Sequence, residues 1–470
     1  MLRLYNTLSR QEEAFAPVRD NHVRLYACGP TVYARGHIGN FRTFVCVDVL
    51  RRALEHVAGH GVTQVVNYTD VDDKTITGAR EAGVPLRDYT ERWIAAFQED
   101  AATLGLRTPE AMPRATDEAN MQAMGDLVRA LEGKGHTYRR DGSVYFRIAS
   151  LPAYGRLARL DHEGLHAGAR VDVDEYSKDD ARDFVLWKAS KPGEPSWDCG
   201  AGPGRPGWHL ECSAMALRLL GPPPIDIHAG GIDLIFPHHE NEIAQSEGAT
   251  GETFARFWVH VEHLFVENEK MSKSLGNVFA VKDVVERGFR PSALRYLLLS
   301  SHYRKPLNFT WAGMASAEES LRRVVDFLAR LAQAQGTGDS GLAAGVTRAR
   351  DAFRAAIAAD LNTAGALGAL FDLVRDGNAA IDAGTMTPGD AALVRAAVEE
   401  IDAVLGVVSL RREEDARPPI PLDEIEQAIE ARRQARQRRD FGEADRIRDD
   451  LASRGVILED NPAGTRWKRK

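Results

Sequence analysis

Cysteine is scarce in this chain, four residues in 470, at positions 28, 46, 199 and 212. Thiols so few and so far apart exclude a disulfide-stapled secreted scaffold and point to reduced thiols or metal ligands. No apolar run approaches the ~18 residues of a membrane span, and Met1-Leu-Arg-Leu-Tyr-Asn6 has no apolar signal core. The expectation is a cytoplasmic protein without membrane contact. No Gly-x-x-x-x-Gly-Lys-Ser/Thr phosphate loop occurs, and Gly200-Ala-Gly-Pro-Gly204 follows no strand and is interrupted by Pro203. A zinc-protease helix starting at His239-Glu240 needs a histidine at 243, where Ile243 stands. Lys+Arg 60 against Asp+Glu 68 leaves a net charge of -8, which excludes a uniformly basic nucleic-acid coat. Local basic patches still act within about 10 Å. What is present is ordinary for a folded chain, 44% hydrophobic and 27% charged, with room for roughly three domains of about 150 residues.

Val23–Cys28 alternates as a strand does, and Gly29-Pro30-Thr31 breaks it. Ile38–Leu54 carries a helical stripe of Phe41, Phe44, Val45, Val49 and Ala53, and Val62–Val66 is a β-branched strand. Strand, helix, strand predicts a parallel sheet with a right-handed crossover. Residues 115–204 hold a helix near Met121–Leu131, a strand at Ser143–Ile148 and much Gly, Asp and Pro. They read as an insertion into the sheet domain. The α/β pattern resumes at Ile225–His228, Pro237–Ser246, Phe257–Val261 and Leu264–Val266. From Pro291 the chain reads as helical, with a joint at Gly336–Gly341 and further helices to Val408. Arg411–Pro421, charged and then proline-rich, reads as a linker to a small terminal unit.

Three segments carry chemistry. Cys28 ends the first strand, where open α/β sheets bind ligands, and His37-Ile-Gly-Asn40 then opens a helix whose free amides favour an anion. A helix start with a stray histidine fits those four residues equally. In Pro237-His-His-Glu-Asn-Glu242, Pro237 suits a first helical position. His238 and Glu242, four apart, share one face and suit two metal ligands, or a plain surface pair. Cys28 and Cys212 are the further soft donors a zinc site wants, whereas Cys46 and Cys199 read as unliganded. Lys270-Met-Ser-Lys-Ser274 offers two ammonium groups to a polyphosphate, although such a pentapeptide alone is also ordinary solvated surface. Near the end, Arg432, Arg433, Arg436, Arg438 and Arg439 load one helix. Asp440-Phe-Gly-Glu443 caps the next and Gly455 ends it. With an exposed Trp467 and Lys468-Arg-Lys470, this suits single-stranded RNA, or a solvated helix.

Taken together, His37–Asn40 and Lys270–Ser274 resemble the paired signatures of class I aminoacyl-tRNA synthetases. Cys28-Gly-Pro-Thr-Val-Tyr33, Asn67-Tyr-Thr-Asp-Val-Asp-Asp-Lys74, Gly207-Trp-His-Leu-Glu-Cys212 and Phe236–Ser246 are similar to the cysteinyl-tRNA synthetase family. The likeness spans nearly the whole chain, through Gly455–Asp460 and Gly464–Trp467. Asn40 departs from the usual histidine, and Ala229 interrupts a glycine run.

The resemblance implies a Rossmann-type catalytic domain in two halves, 1–114 and 205–255, around a connective insertion, 115–204. A linking region with the lysine loop, 256–310, leads to a helical bundle, 311–410, and a small anticodon-binding domain, 421–470. It implies cysteine activation by ATP with Mg²⁺, then transfer to tRNA(Cys), by a monomer. His37 and Asn40 would hold the phosphates, Lys273 with Lys270 the pyrophosphate, and Gly230 and Asp233 the nucleoside. Cys28, Cys212, His238 and Glu242 would hold one Zn²⁺ that binds the substrate thiolate and rejects serine, with Cys28, Thr69 and Trp208 lining the cysteine pocket. For Trp208, ordinary packing remains open. Four protein ligands usually mark a closed structural site, so a fifth ligand or a loosened Glu242 is required. Arg436, Asp445, Arg448, Asp460 and Trp467 would contact the tRNA. Two other readings are a cysteine ligase acting on a small-molecule amine, which would not need 421–470, and an idle zinc-containing RNA binder. The latter would be expected to lose His37, Lys270 and Lys273.

Overall fold

A computed structural model describes residues 1–160, 182–338, 340–461 and 464–469. Its centre is a four-stranded parallel sheet in the order Ala255–Val261, Ile225–Gly231, His22–Ala27, Gly61–Val66. Val23, Leu25, Ala27, Val62, Val65, Val66, Ile225 and Ile227 are buried, as strands covered on both faces require. The first-made strand, His22–Ala27, lies inside the sheet. Its carboxyl end, followed by Cys28, opens where the connections diverge to either side, the usual crevice for a ligand. The helix Ile38–His56 buries Phe41, Val45, Val49 and Leu50. Its Arg42 guanidinium is fully enclosed and donates to the carbonyls of Glu262, His263, His302 and Lys305.

The insertion folds as the helix Glu118–Gly133 and an antiparallel sheet of Thr137–Arg140, Ser143–Phe146, Phe184–Ala189 and Gly204–Pro206. It shares one apolar cluster with Tyr26, Cys28, Cys212 and Trp258, so it walls the crevice. A second small sheet, of Leu264–Val266, Leu307–Phe309 and Glu269–Lys270, carries the lysine loop. Four long helices follow: Trp311–Leu331, Leu342–Ala358, Thr363–Asp382 and Pro388–Leu405.

Two expectations need correction. Arg411–Ala416 is not linker but most of a helix, Val408–Ala416. Its charges are tertiary partners: Arg411 pairs with Glu318, and Glu414 accepts from the amide and hydroxyl of Ser292 at 2.8 and 2.6 Å. A charged run therefore read as solvated although its charges are matched across the bundle. Trp467, expected to be exposed, is half-buried on the core of Ile425, Leu451 and Val456. The C-terminal unit comprises the helices Leu422–Gln437 and Phe441–Ser453 and the hairpin Val456–Asn461/Gly464–Arg469. Among the described residues no helix is long and apolar enough to cross a membrane.

Candidate active site

Cys28, Cys212, His238 and Glu242, from three separate stretches of the crevice wall, are all buried, with one donor atom each inside a 4.8 Å group. Cys28 Sγ lies 3.7 Å from Cys212 Sγ and 3.4 Å from Glu242 Oε1, and His238 Nε2 is 3.2 Å from Glu242 Oε1. Pro237 does not begin a regular helix. A single wide turn, Ile235–His239, precedes the helix Glu240–Thr250, yet the four-residue spacing of His238 and Glu242 survives across the junction.

The electrostatics suit a cation. Burial alone would keep Glu242 neutral, but His228 and His238 outweigh it and hold the carboxyl at about 2. Burial opposes charge on His238, but Glu242 and Cys212 raise it to about 10. Burial likewise opposes a Cys212 thiolate, yet the hydrogen bond from Cys28 and the nearby His238 bring that thiol down, while Cys28, enclosed beside it, is pushed up. Two thiols, an imidazole and a carboxylate are a donor set for zinc. His209 Nδ1 meets His238 Nδ1 at 2.9 Å, which fixes the ring and leaves Nε2 for a metal. The residues therefore fit the ion. A second group, Cys28, His228, His239 and Glu242, also converges. Its one thiol makes it the harder set, and His228 and His239 are engaged with Glu242 and His260 at 2.9 and 2.8 Å. Cys46 and Cys199 belong to no metal-binding group among the described residues.

On the opposite side, His37 caps the Ile38–His56 helix reciprocally with Asn40. The Asn40 amide donates to His37 Nδ1 at 3.2 Å, and the His37 amide to Asn40 Oδ1 at 3.0 Å. Nδ1 is thus an acceptor and the hydrogen sits on Nε2. Burial lowers the His37 pKa, Asp233 partly opposing it, so exposed Asp233 borders the same anion-favouring helix start. Gly230, the penultimate residue of its strand, lies close against His239 and Leu234. The lysine loop docks here as well, because Ile38 N donates to Phe279 O at 2.8 Å. Asn277 holds the loop by accepting from Ser272 N at 2.8 Å and donating to Lys270 O at 3.2 Å. Lys270 is exposed, whereas the Lys273 side chain lies outside the described atoms.

Thr69 is buried and accepts from Asn67 Nδ2 at 3.3 Å, and Trp208 lies over His238 with ring centroids 4.3 Å apart. In the C-terminal unit Arg432 grips Asp460 at 2.8 and 2.8 Å, and Arg436 joins at 2.9 Å. Asp445 and Arg448 form an exposed pair at 3.6 Å on the next helix. Sequence reasoning assigned no role to His209, His228, His239, His260 or Asn67, and counted Arg432 only among the basic residues of its helix. His209, one helical turn before Cys212, His239, beside His238, and Asn67, just after the strand Gly61–Val66, had those neighbours as a signal, whereas His228 and His260 lie within strands.

The chain matches the family description "tRNA synthetases class I (C) catalytic domain" over residues 14–319, "DALR domain" over 352–409 and "Cysteinyl-tRNA ligase anticodon binding domain" over 422–467. It is 50% identical over 475 residues to the Cysteine–tRNA ligase of Solibacter usitatus, covering 100% of both chains. The chain belongs to the cysteinyl-tRNA ligase family. The Koribacter versatilis Cysteine–tRNA ligase is 47% identical, again over 100% of each chain. Solved structures similar to this family member share its fold. Mycobacterium tuberculosis methionyl-tRNA synthetase in complex with methionyl-adenylate gives a TM-score of 0.58 at 17% identity, covering 82% of this chain and 90% of that one. The Agrobacterium radiobacter leucyl enzyme, LeuRS, in a ternary complex gives 0.60 at 13%, covering 82% and 84%. The class I α/β architecture with helical C-terminal domains follows.

Proposed function

We propose that this chain activates L-cysteine with ATP and transfers it to the 3′-terminal adenosine of tRNA(Cys), working as a cytoplasmic monomer with Mg²⁺ accompanying ATP. The convergence of Cys28, Cys212, His238 and Glu242 carries the reading. In the first step the cysteine carboxylate attacks the α-phosphorus and pyrophosphate leaves. Positioning and charge stabilisation suffice for such a transfer, so no protein nucleophile is assigned.

His37 donates from Nε2 to a phosphate oxygen without carrying charge. Asn40, its Oδ1 occupied by the His37 amide, has its Nδ2 hydrogens free for the same phosphates, which gives the asparagine a role a cation is not needed for. Lys270 and Lys273 neutralise the departing pyrophosphate, and Asp233 accepts from a ribose hydroxyl beside Gly230. Thr69 and Trp208 bound the cysteine pocket.

Cys28, Cys212, His238 and Glu242 would hold a zinc ion, which would supply a thiophilic site that lowers a thiol's pKa but leaves a hydroxyl protonated. Pocket shape alone separates near-isosteric substrates by only about 1–3 kcal/mol, so the donor set accounts for selectivity without an editing domain. Residues 422–467, with Arg436, Asp445, Arg448, Asp460 and Trp467, receive the anticodon. Ligation to a small amine would leave that unit without a task.

The test is cysteine-dependent exchange of pyrophosphate into ATP, with serine as control and zinc measured on the same preparation. Exchange with cysteine alone and about one zinc per chain is expected. Exchange that is equal with serine, or undiminished after zinc removal, overturns the reading.

A further inference from the structure

Away from the catalytic crevice, the helices Ile38–His56 and Leu86–Thr103 flank the edge strand Gly61–Val66 around a cavity of about 330 Å³. Phe44 and Asp48, its lining from the first helix, stand two to three turns beyond His37, roughly 10–16 Å along the axis. On the strand, the alternate residues Gln64 and Val66 face it. Phe44 and Phe97 meet there edge to face, with ring centroids 4.9 Å apart and planes at 76°, and Leu106 and Met112 extend the apolar lining. Cavities of this size, mostly apolar with a few placed polar groups, are the usual form of a small-molecule site.

Gln64 supplies the placed polar group. It is only 5% exposed, yet one end of its amide is used and the other is not. Oε1 accepts from Arg51 at 3.5 Å, which sets the orientation of the amide, whereas Nε2 has no partner among the described residues. A buried donor without an acceptor is costly, and an apolar side chain of the same size would avoid that cost, so packing does not account for the glutamine. The two charged residues of the lining are already matched, Asp48 by Arg295 and Arg52, and Arg107 by Glu55. What the cavity offers a ligand is an aromatic corner and an inward hydrogen-bond donor, without an unpaired charge among the described residues.

We propose that this cavity is a binding site for an uncharged, planar, two-ring heteroaromatic compound, held between Phe44 and Phe97 and accepting a hydrogen bond from Gln64 Nε2 at its edge. A ring placed there stacks on one phenyl group and meets the other edge-on, both favoured geometries. The Met112 thioether suits the edge of such a ring. An ionised ligand would find no counterpart, since Asp48 and Arg107 are engaged.

Equilibrium dialysis of the full-length protein tests it, with quinoline, whose ring nitrogen accepts a hydrogen bond, and naphthalene, which has the same shape without the acceptor. Wild-type protein is expected to bind quinoline, and saturating ATP and cysteine should not displace it. Gln64→Leu should weaken quinoline about tenfold, while naphthalene stays within about twofold or tightens. Ala101→Phe, which fills the cavity from the second helix, should abolish binding of both. The thermal midpoint of each variant shows that it is folded. No binding of quinoline by wild type, displacement by ATP and cysteine, equal effects of Gln64→Leu on the two probes, or binding that survives Ala101→Phe would each overturn the proposal.

Discussion

Met271 fills the space in which Gly39 would carry a side chain: a Cβ there would stand 2.3 Å from Met271 Cε and 3.0 Å from His37 Nδ1. Glycine at 39 therefore lets the lysine loop close on the helix start, a contact reinforced by the bridge between His37 and Ala280.

Gly39→Ala is expected to leave the melting temperature unchanged or slightly raised, since alanine favours a helix over glycine by about 1 kcal/mol. Pyrophosphate exchange should fall about a hundredfold, because displacement of the loop by an ångström misaligns the phosphates. Adding Met271→Ala should restore much of the loss. An unimpaired single variant would separate the loop's position from catalysis.

His209→Ala removes the group that orients His238, with both thiols and Glu242 intact. Zinc affinity should drop about ten- to a hundredfold, read by competition with a chelator. Cys212→Ser should lose more zinc and, with it, preference for cysteine over serine in the exchange assay. Full zinc in both variants would argue against the first donor set and for the one containing His228 and His239.

Much of this was legible beforehand. Sharp transitions at Gly29-Pro30 and the β-branched Val62–Val66 gave the parallel unit, the four-residue spacing paired His238 with Glu242, and the family resemblance joined Cys28 and Cys212 to them. The histidine shell was not legible, because His209 and His260 act through contacts with His238 and His239 that arise only when a helix and a strand distant in sequence pack against the turn Ile235–His239. Arg411 and Glu414 were misread for a related reason: a charge is solvated or matched according to its tertiary neighbours, and periodicity carries no record of Glu318 or Ser292.

Asp48, on the helix Ile38–His56, holds Arg295 of the linking region, which in turn donates to Leu405 O in the bundle. Asp48 Oδ2 accepts from Arg295 at 2.6 Å and Arg52 at 2.8 Å, and its Oδ1 from Arg107 N at 3.0 Å. Burial opposes the charge, but Arg295 and Arg52 prevail and hold the pKa below the usual 3.8. A depressed folded pKa stabilises the protein in full above the unfolded value, and that contribution is lost as pH falls through the folded one. Asp48→Asn should cost about 3–5 kcal/mol at neutral pH by stranding Arg295. Its urea midpoint should also vary less than wild type as pH falls below about 4. Parallel pH curves would contradict this.

Arg432→Ala frees Asp460, which Thr465 and Arg436 then hold alone. Charging of tRNA(Cys) is expected to fall about tenfold, with cysteine-dependent exchange unchanged. A matching loss in exchange would mean that the terminal hairpin supports the catalytic half directly.

The order of the parallel strands has a consequence for biosynthesis. The strand His22–Ala27 leaves the ribosome long before Ile225–Gly231, its neighbour on one side, so throughout synthesis of the insertion it presents an unpaired edge. Such edges invite wrong partners, and incomplete domains of this kind are clients for chaperones. The donor set is completed only past the midpoint of synthesis as well: no ribosome-tethered fragment ending before residue 242 of the 470 possesses all four side chains, so the first half of the nascent chain would emerge without a complete metal site.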